Sequence, residues 1–425
     1  MRPQFVARLR RVQRSRLFRQ NAVLFLGGMA SGLGGLVYHA IAGRVLGPQL
    51  YGEVASLVAI YTIGTTINFS LILVLAHYSA RQLAQNHQGA LRAMFRRTNV
   101  LLVIPSAVFF LLTLAACVPV ADFLRLASPV PVICLGLAIV VCSYMAIPRG
   151  LLQGRQAFGA LSANQGLELF VRTGTLALLL WAGLGVTGSV IAMMLGAGVA
   201  YLIGTYALRD VWHEPPDPVR MRTMISFAIT ATLGTLGVLV LYNVDVVLAK
   251  HYLDTQSAGI YGALNKIETI VYYGTLSVGQ VLFPRVVEAV ATGRHPLRLL
   301  FLSACLSICL GLCALLVFTV LPGPVIEIPF GKAFLSAVPF MREIGLIGIA
   351  LSLINLLVQF FIAVHDRAFL PVLAAGCFLL VTLIALLHGG VGQVVLDVLV
   401  TLLLLFAGLA VRCLFLIPRL HSSVA

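Results

Sequence analysis

Twelve apolar runs, each near the length of one membrane crossing, are separated only by short polar gaps: residues 21–42, 53–76, 99–120, 130–148, 161–182, 187–208, 224–248, 260–283, 299–321, 341–364, 368–388 and 391–416. At about 1.5 Å per residue, a helix of ~20 residues matches the hydrocarbon thickness of a bilayer. Lipid offers no partner for backbone N–H and C=O groups, so a chain built of such runs forms helices. The alternative, one large soluble core, is excluded by composition. The 425 residues are 60% hydrophobic and 10% charged, whereas soluble domains carry about 25% charged residues. The expectation is an all-α polytopic membrane protein with about 12 transmembrane helices.

The turn Ala42-Gly-Arg-Val-Leu-Gly-Pro-Gln-Leu-Tyr-Gly-Glu53 has a counterpart later in the chain, Ala249-Lys-His-Tyr-Leu-Asp-Thr-Gln-Ser-Ala-Gly-Ile-Tyr-Gly262. Each follows an apolar helix and leads into the next through a Tyr-Gly pair, Tyr51-Gly52 or Tyr261-Gly262. The repeat predicts two similar halves with a binding site between them, a common transporter plan. The domain boundaries read from the runs are a basic N-terminal arm (1–20), a first six-helix bundle (21–208), a linker (209–223), a second six-helix bundle (224–416) and a tail (417–425).

Arginine placement sets the expected orientation. Arg81, Arg92, Arg96 and Arg97, then Arg149 and Arg155, then Arg209, Arg220 and Arg222 fall in alternate gaps. Arg285, Arg294, Arg298, Arg367 and Arg419 continue the pattern. By the positive-inside rule those gaps and both termini are cytoplasmic. The arm itself holds seven arginines and no acid within residues 1–19. Fused to a membrane span, it is read as contacting anionic lipid headgroups rather than nucleic acid. Residues Ala40-Ile-Ala42 resemble a signal-peptidase site, but the run before them is longer than a signal h-region and is read as a retained first helix.

Several chemistries find no support in the sequence. Gly27-Gly28 and Gly34-Gly35 lack the following Lys-Ser/Thr of a phosphate loop and suit close helix packing instead. The eight cysteines lie in or beside apolar runs, which argues against a disulfide framework. Cys305, Cys309 and Cys313 share a helical face and are read as packing residues, not metal ligands. No nucleophile–base arrangement, cofactor motif or resident metal is expected, and the chain is read as a non-enzyme.

Charged groups inside the apolar runs are the site candidates, because an ionised side chain at mid-bilayer costs ~3 kcal/mol or more. Glu168 and Arg172 stand four apart on one helical face. They form either a mutual ion pair or a cavity cation, Arg172, held by Glu168. Lys266 is a cavity or interface cation. With Glu268 two residues away it points to another side, so the two are not expected to neutralise each other. Arg342, at the start of one run, is a further cation, while Arg44 and Glu53, which flank the first turn, are read mainly as gate or interface residues, with Arg44 also available as a cation. Asp245, Asp397 and Glu268 are candidates for binding a proton or Na+. His39 and His77 are read as core histidines.

The segments Asn21-Ala-Val-Leu-Phe-Leu-Gly-Gly28, Gly43-Arg-Val-Leu-Gly-Pro-Gln-Leu-Tyr-Gly52, Asn243-Val-Asp-Val-Val-Leu-Ala-Lys-His-Tyr-Leu253 and Ala258-Gly-Ile-Tyr-Gly-Ala-Leu-Asn-Lys-Ile267 resemble polysaccharide flippases of the multidrug/oligosaccharidyl-lipid/polysaccharide exporter superfamily. The resemblance implies a V-shaped pair of six-helix bundles alternating between inward- and outward-facing states. It implies a polyprenyl-pyrophosphate oligosaccharide as substrate, a coupling Na+ or H+ with Asp245 as the matching helix-7 acid, and a bacterial inner-membrane location. A glycan polymerase or glycosyltransferases are the partners such a role implies. Arg172, Lys266, Arg44 and Arg342 are then cations for the phosphates, while Tyr61, Asn68, Tyr242, Tyr272 and Tyr273 are groups for the sugars. A drug exporter of the same superfamily is the alternative.

Overall fold

A computed structural model describes the backbone of residues 3–85, 87, 89–213, 225–291, 297–364 and 366–422. It describes side chains at 34–66, 68–85, 87, 89–212, 233–272, 297–364 and 366–416, together with 274, 275, 278, 282 and 286. All regular structure among these residues is helical. The linker residues 214–223 and the side chains of the basic arm, the tail and Tyr273 lie outside the described set.

Helix α1 runs Pro3–Gly64 but is broken at Gly47, whose φ of 69° and ψ of 174° no helix accommodates. Pro48 follows, and its missing N–H and fixed φ cannot continue the preceding turn. A left-handed φ at this break favours a residue without Cβ. The limb after the break joins α2 (Thr66–Ala84) through Thr65. The first two sequence runs are therefore the two limbs of α1, the second prolonged by α2. The remaining helices of the first half are α3 (Gly89–Phe123), α4 (Val130–Gly154), α5 (Phe158–Trp181) and α6 (Gly185–Ala207).

The second half contains α7 (Ile225–Tyr252), α8 (Thr255–Ala291), α9 (Leu297–Val320), α11 (Met341–Ala363), α12 (Phe369–Leu386) and α13 (Val391–Ser422). Between α9 and α11 lies an additional short helix, α10 (Pro322–Phe330), followed by a 3-10 segment, Lys332–Phe340. Pro322 supplies the preset φ of a first helical turn, and Gly331 at φ 90° stops the helix. Nothing in the hydropathy marks α10, because it is too short to cross a membrane.

Nine stretches among the described residues are long and apolar enough to span a bilayer. Both limbs of α1 and α2 count there as one stretch, while α5 and α8 fall short because polar and charged residues interrupt them. Separating the limbs and adding α5 and α8 restores twelve crossings, so the chain is an all-α integral membrane protein.

Packing explains which crossings matter. In the first half α4 and α5 pack on α6, α2 and α3 on α4, and α1 on α5. In the second half α8, α9 and α13 pack on α11, and α12 on α7 and α13. The halves meet along α1 and α2 against α7 and α8. Helices α3 and α9 lie at the periphery, with rows of exposed apolar side chains such as Leu101, Ile104 and Leu111, or Phe301, Leu312 and Leu316.

The seam is closest at the two repeated turns, hereafter the turn end. A Cβ on Gly52 would lie 2.9 Å from the Gly259 nitrogen, and one on Gly259 only 1.8 Å from the Pro48 carbonyl oxygen. Here glycine is required by backbone-to-backbone approach, and it lets α1 touch α8 directly.

Candidate functional site

Two charged clusters face the seam, one from each half. In the first, Pro148 does not end α4, which continues to Gly154 and buries Arg149 among its neighbours. The Arg149 guanidinium donates to Asn164 Oδ1 at 2.8 Å and to Glu168 Oε2 at 2.8 Å, both on α5. Asn164 in turn donates to the Ala200 carbonyl of α6 at 2.6 Å. Reading Arg149 as a loop residue was therefore incorrect. Hydropathy ended the run at Pro148, whereas Met145, Arg149 and Leu152 recur at helical spacing and are all buried.

This pairing changes the meaning of Glu168 and Arg172. The direct salt bridge of Glu168 is to Arg149, and Arg172 Nη1 stands 3.9 Å from the other carboxylate oxygen. Two guanidiniums thus share one carboxylate, leaving an excess of one positive charge. The Arg172 guanidinium lies over the Tyr38 ring at 5.0 Å, and its Nε has no hydrogen-bond partner among the described residues. Its side chain is 20% exposed, although the Nε itself is buried. Tyr61 and Asn68 sit nearby, both in contact with Cys142, and the Asn68 amide nitrogen is buried with no geometric hydrogen bond among the described residues.

The second cluster is carried by α7 and α8. Asp245 is buried and accepts hydrogen bonds from the Tyr261 hydroxyl and, at 3.5 Å, from the Asn265 amide. Lys266 lies over the Tyr242 ring at 5.7 Å and feels the charges of both Asp245 and Glu268. Spacing points Lys266 and Glu268 to different sides of α8, yet each acts electrostatically on the other, and Asp245 of α7 acts on both. Tyr242 stacks on Tyr272, ring centres 5.2 Å apart, and its hydroxyl meets Thr269. Arg172 and Lys266 both act electrostatically on His39, which places cations of the two halves around one point of the seam.

The second half also holds buried oxygens left without partners. Asp245 Oδ1, Asn265 Oδ1 and Asp397 Oδ2 are buried and have no partner among the described residues. Carboxylate and amide oxygens suit a hard cation. Asp397 on α13 accepts from Gln393 at 2.9 Å, and its charge reaches Tyr261, the residue bonded to Asp245.

Two expected cations lie apart from these clusters. Arg44 is exposed and donates to the Pro329 carbonyl at 3.0 Å and to the Ile328 carbonyl, so it caps α10 at the turn end. With Lys332 and Phe330 it lines an open cleft of about 710 Å³ there. Arg342 is exposed at the start of α11. Neither position suits a central phosphate contact.

The turn end is sealed. Lys250 Nζ is 3.8 Å from Glu53 Oε1. Arg125 donates to the Leu253 carbonyl at 3.4 Å, and the His251 ring stacks on Phe123 with centres 4.0 Å apart. Asp254, in the turn, caps α8, accepting from the Gln256 and Ser257 N–H groups at 3.0 Å. Hydrogen bonds from the Ser257 side chain and backbone hold its carboxyl below the usual range. At the opposite end, outside the spans, hydrogen bonds from Arg155 do the same for Asp210.

The family profile described as "Polysaccharide biosynthesis protein" matches residues 17–290. No curated protein matches the chain significantly. Among solved structures, an inward-facing multidrug resistance MATE family transporter of the MOP superfamily superposes with a TM-score of 0.73 at 13% identity, covering 93% of this chain and 96% of its own. The lipid II flippase MurJ, in an inward closed conformation, gives 0.68 at 11% identity over 92% and 87%. An outward-facing MATE family transporter of the same superfamily gives 0.64 at 12% over 95% and 96%. These likenesses concern the fold.

Proposed function

This chain belongs to the polysaccharide biosynthesis protein family, and from that premise we propose that it is a flippase of the MOP transporter superfamily for a lipid-linked oligosaccharide. The substrate class is a polyprenyl-pyrophosphate glycan, moved from the cytoplasmic to the outer leaflet of a bacterial inner membrane by alternating access. The observation that carries this reading is the state of Arg172. A guanidinium with an unpartnered Nε, set over an aromatic ring beside an already-paired carboxylate, is a receptor for an anion. Lys266 supplies a second cation from the opposite half, as a pyrophosphate spanning the seam requires. The prenyl tail stays in lipid, and Tyr61, Asn68 and Tyr272 offer polar and aromatic contact to sugars.

Both termini are assigned to the cytoplasm and the turn end to the outer face, in accordance with the arginine-rich gaps. The sealed turn end then corresponds to an inward-facing state awaiting substrate. Coupling to Na+ or H+ is assigned to Asp245 with Asn265 and Asp397, on the strength of their unpartnered oxygens. Glycosyltransferases or a polymerase handling the same glycan are its expected partners.

Purified protein in liposomes, given a fluorescent undecaprenyl-pyrophosphate oligosaccharide, tests the reading through leaflet transfer with and without ion gradients. Transfer by the wild type and its loss in Arg172→Ala, at equal reconstitution, are expected. An Arg172→Ala protein that flips at the wild-type rate removes Arg172 from the mechanism. No wild-type transfer alongside drug efflux from the same vesicles moves the chain to the exporter branch, for which the acids Asp245 and Glu268 beside Lys266 provide the chemistry.

A further inference from the structure

Glu53 on the second limb of α1 and Lys250 near the end of α7 form an ion pair across the seam at 3.8 Å, their side chains 9% and 2% exposed. Separating such a buried pair leaves each charge uncompensated and is strongly unfavourable. Any state in which the turn end opens must separate it, because α1 and α7 belong to different halves. Opening is therefore favoured by a replacement anion for Lys250. The surroundings suit one. Arg125 lies within electrostatic reach of Lys250 and is anchored on the Leu253 carbonyl at 3.4 Å. The neighbouring His251 is held on Phe123, a ring nitrogen 2.7 Å from its carbonyl oxygen. The one nearby turn carboxylate, Asp254, is already bonded to the N–H groups of Gln256 and Ser257. Glu53 is thus the carboxylate that faces Lys250.

We propose that Lys250 is a second anion station, occupied by the Glu53 carboxylate while the turn end is closed and by a phosphate group of the substrate when it opens. Glu53 acts as a built-in stand-in for that phosphate, and the arriving anion releases the gate by competition. The proposal rests on the flippase reading for its substrate class, and adds the site at which that substrate is handed on.

The test uses the full chain in lipid nanodiscs, with spin labels on keto side chains introduced at the exposed positions Gln49 and Gln256, one in each half. Inorganic pyrophosphate is the probe, with its binding followed by calorimetry in parallel. In the wild type, pyrophosphate is expected to populate a longer label separation. Glu53→Gln is expected to lower the half-maximal concentration about tenfold, within the usual range of coupling between sites. Lys250→Gln is expected to bind the probe at the central cations yet show no lengthening. The neutral pair E53Q/K250Q, which buries no charge, guards against misfolding and is expected to be equally indifferent. Lengthening in K250Q or the double variant at the wild-type concentration, or an unshifted E53Q, overturns the station while leaving the central site standing. Absence of any pyrophosphate binding to the wild type overturns the anion reading itself.

Discussion

Replacing Gly259 by alanine acts on the seam alone. The added Cβ would stand 1.8 Å from the Pro48 carbonyl oxygen, 2.5 Å from its carbonyl carbon and 2.9 Å from its Cα. All three are backbone atoms, so no side chain can swing aside. Reaching an ordinary contact of about 3.5 Å requires α1 and α8 to part by roughly 1.7 Å. That motion alone stretches the 3.8 Å Glu53–Lys250 pair to about 5.5 Å. Overpacking of this kind costs about 1–3 kcal/mol, and an unyielding partner puts it near the upper end. A cost of ~3 kcal/mol multiplies the open-to-closed ratio about 150-fold, enough to bring a state populated at ~1% to dominance. The contact lies between the halves, so each half folds as before, and alanine favours the α8 helix over glycine. The assay is pulsed spin-label spectroscopy across positions 49 and 256 in nanodiscs, with Gly166→Ala, which meets nothing within 4 Å, as control. A Gly259→Ala protein that keeps the wild-type short separation refutes the claim that backbone contact at this glycine closes the turn end.

Arg149→Ala leaves the part-buried Glu168 with Arg172 alone, 3.9 Å away, and Asn164 Oδ1 without its donor, and should lower stability by about 1–3 kcal/mol. Thermal melting in detergent would read this loss, and Glu168→Gln, which leaves Arg149 and Arg172 without a counter-charge, should be at least as costly. At the opposite end, Asp210 has its carboxyl held low by Arg155 in an exposed pair, so the contribution is at most about 1 kcal/mol. A depressed folded value means that this stability is present above the ordinary aspartate range near 3.9 and fades as pH falls through and below it. The melting difference between wild type and Asp210→Asn should therefore be flat from pH 8 to about 5 and shrink as the pH falls below the ordinary aspartate range. Asp245→Asn should leave flipping of the fluorescent glycan unresponsive to an imposed Na+ or H+ gradient. Undiminished gradient dependence would take Asp245 out of the coupling path.

Period and length made the crossings legible, because lipid punishes any unsatisfied backbone and so leaves a plain trace in hydropathy. The repeat of Tyr51-Gly52 and Tyr261-Gly262 pointed to the two turns that meet, but not to Gly259, the glycine whose backbone Gly52 approaches. Partnerships were not legible. Asn164, Glu168 and Arg149 meet because α4 and α5 pack side by side, and Arg149 sat just past a proline where hydropathy ends a span. Lys266 and Glu268 looked independent when only their own helix was considered, since nothing in α8 reveals that α7 brings Asp245 to both. Arg44 carried a signal of charge but none of its partner, the carbonyl end of a short helix 285 residues away. Side-chain geometry across helices depends on rotation and tilt, which a one-dimensional pattern does not encode.

The third helix of each half, α3 and α9, spends most of its surface on lipid. Hydrocarbon solvates leucine, valine or phenylalanine with little regard to shape. Substitutions along these outward stripes are thus nearly interchangeable as long as they stay apolar. At Gly52 and Gly259 even a methyl group is too much. A chain organised this way stores its instructions unevenly, densely in the first two helices of each half and thinly in the third. The rim accepts almost any apolar side chain, whereas the two seam glycines accept none.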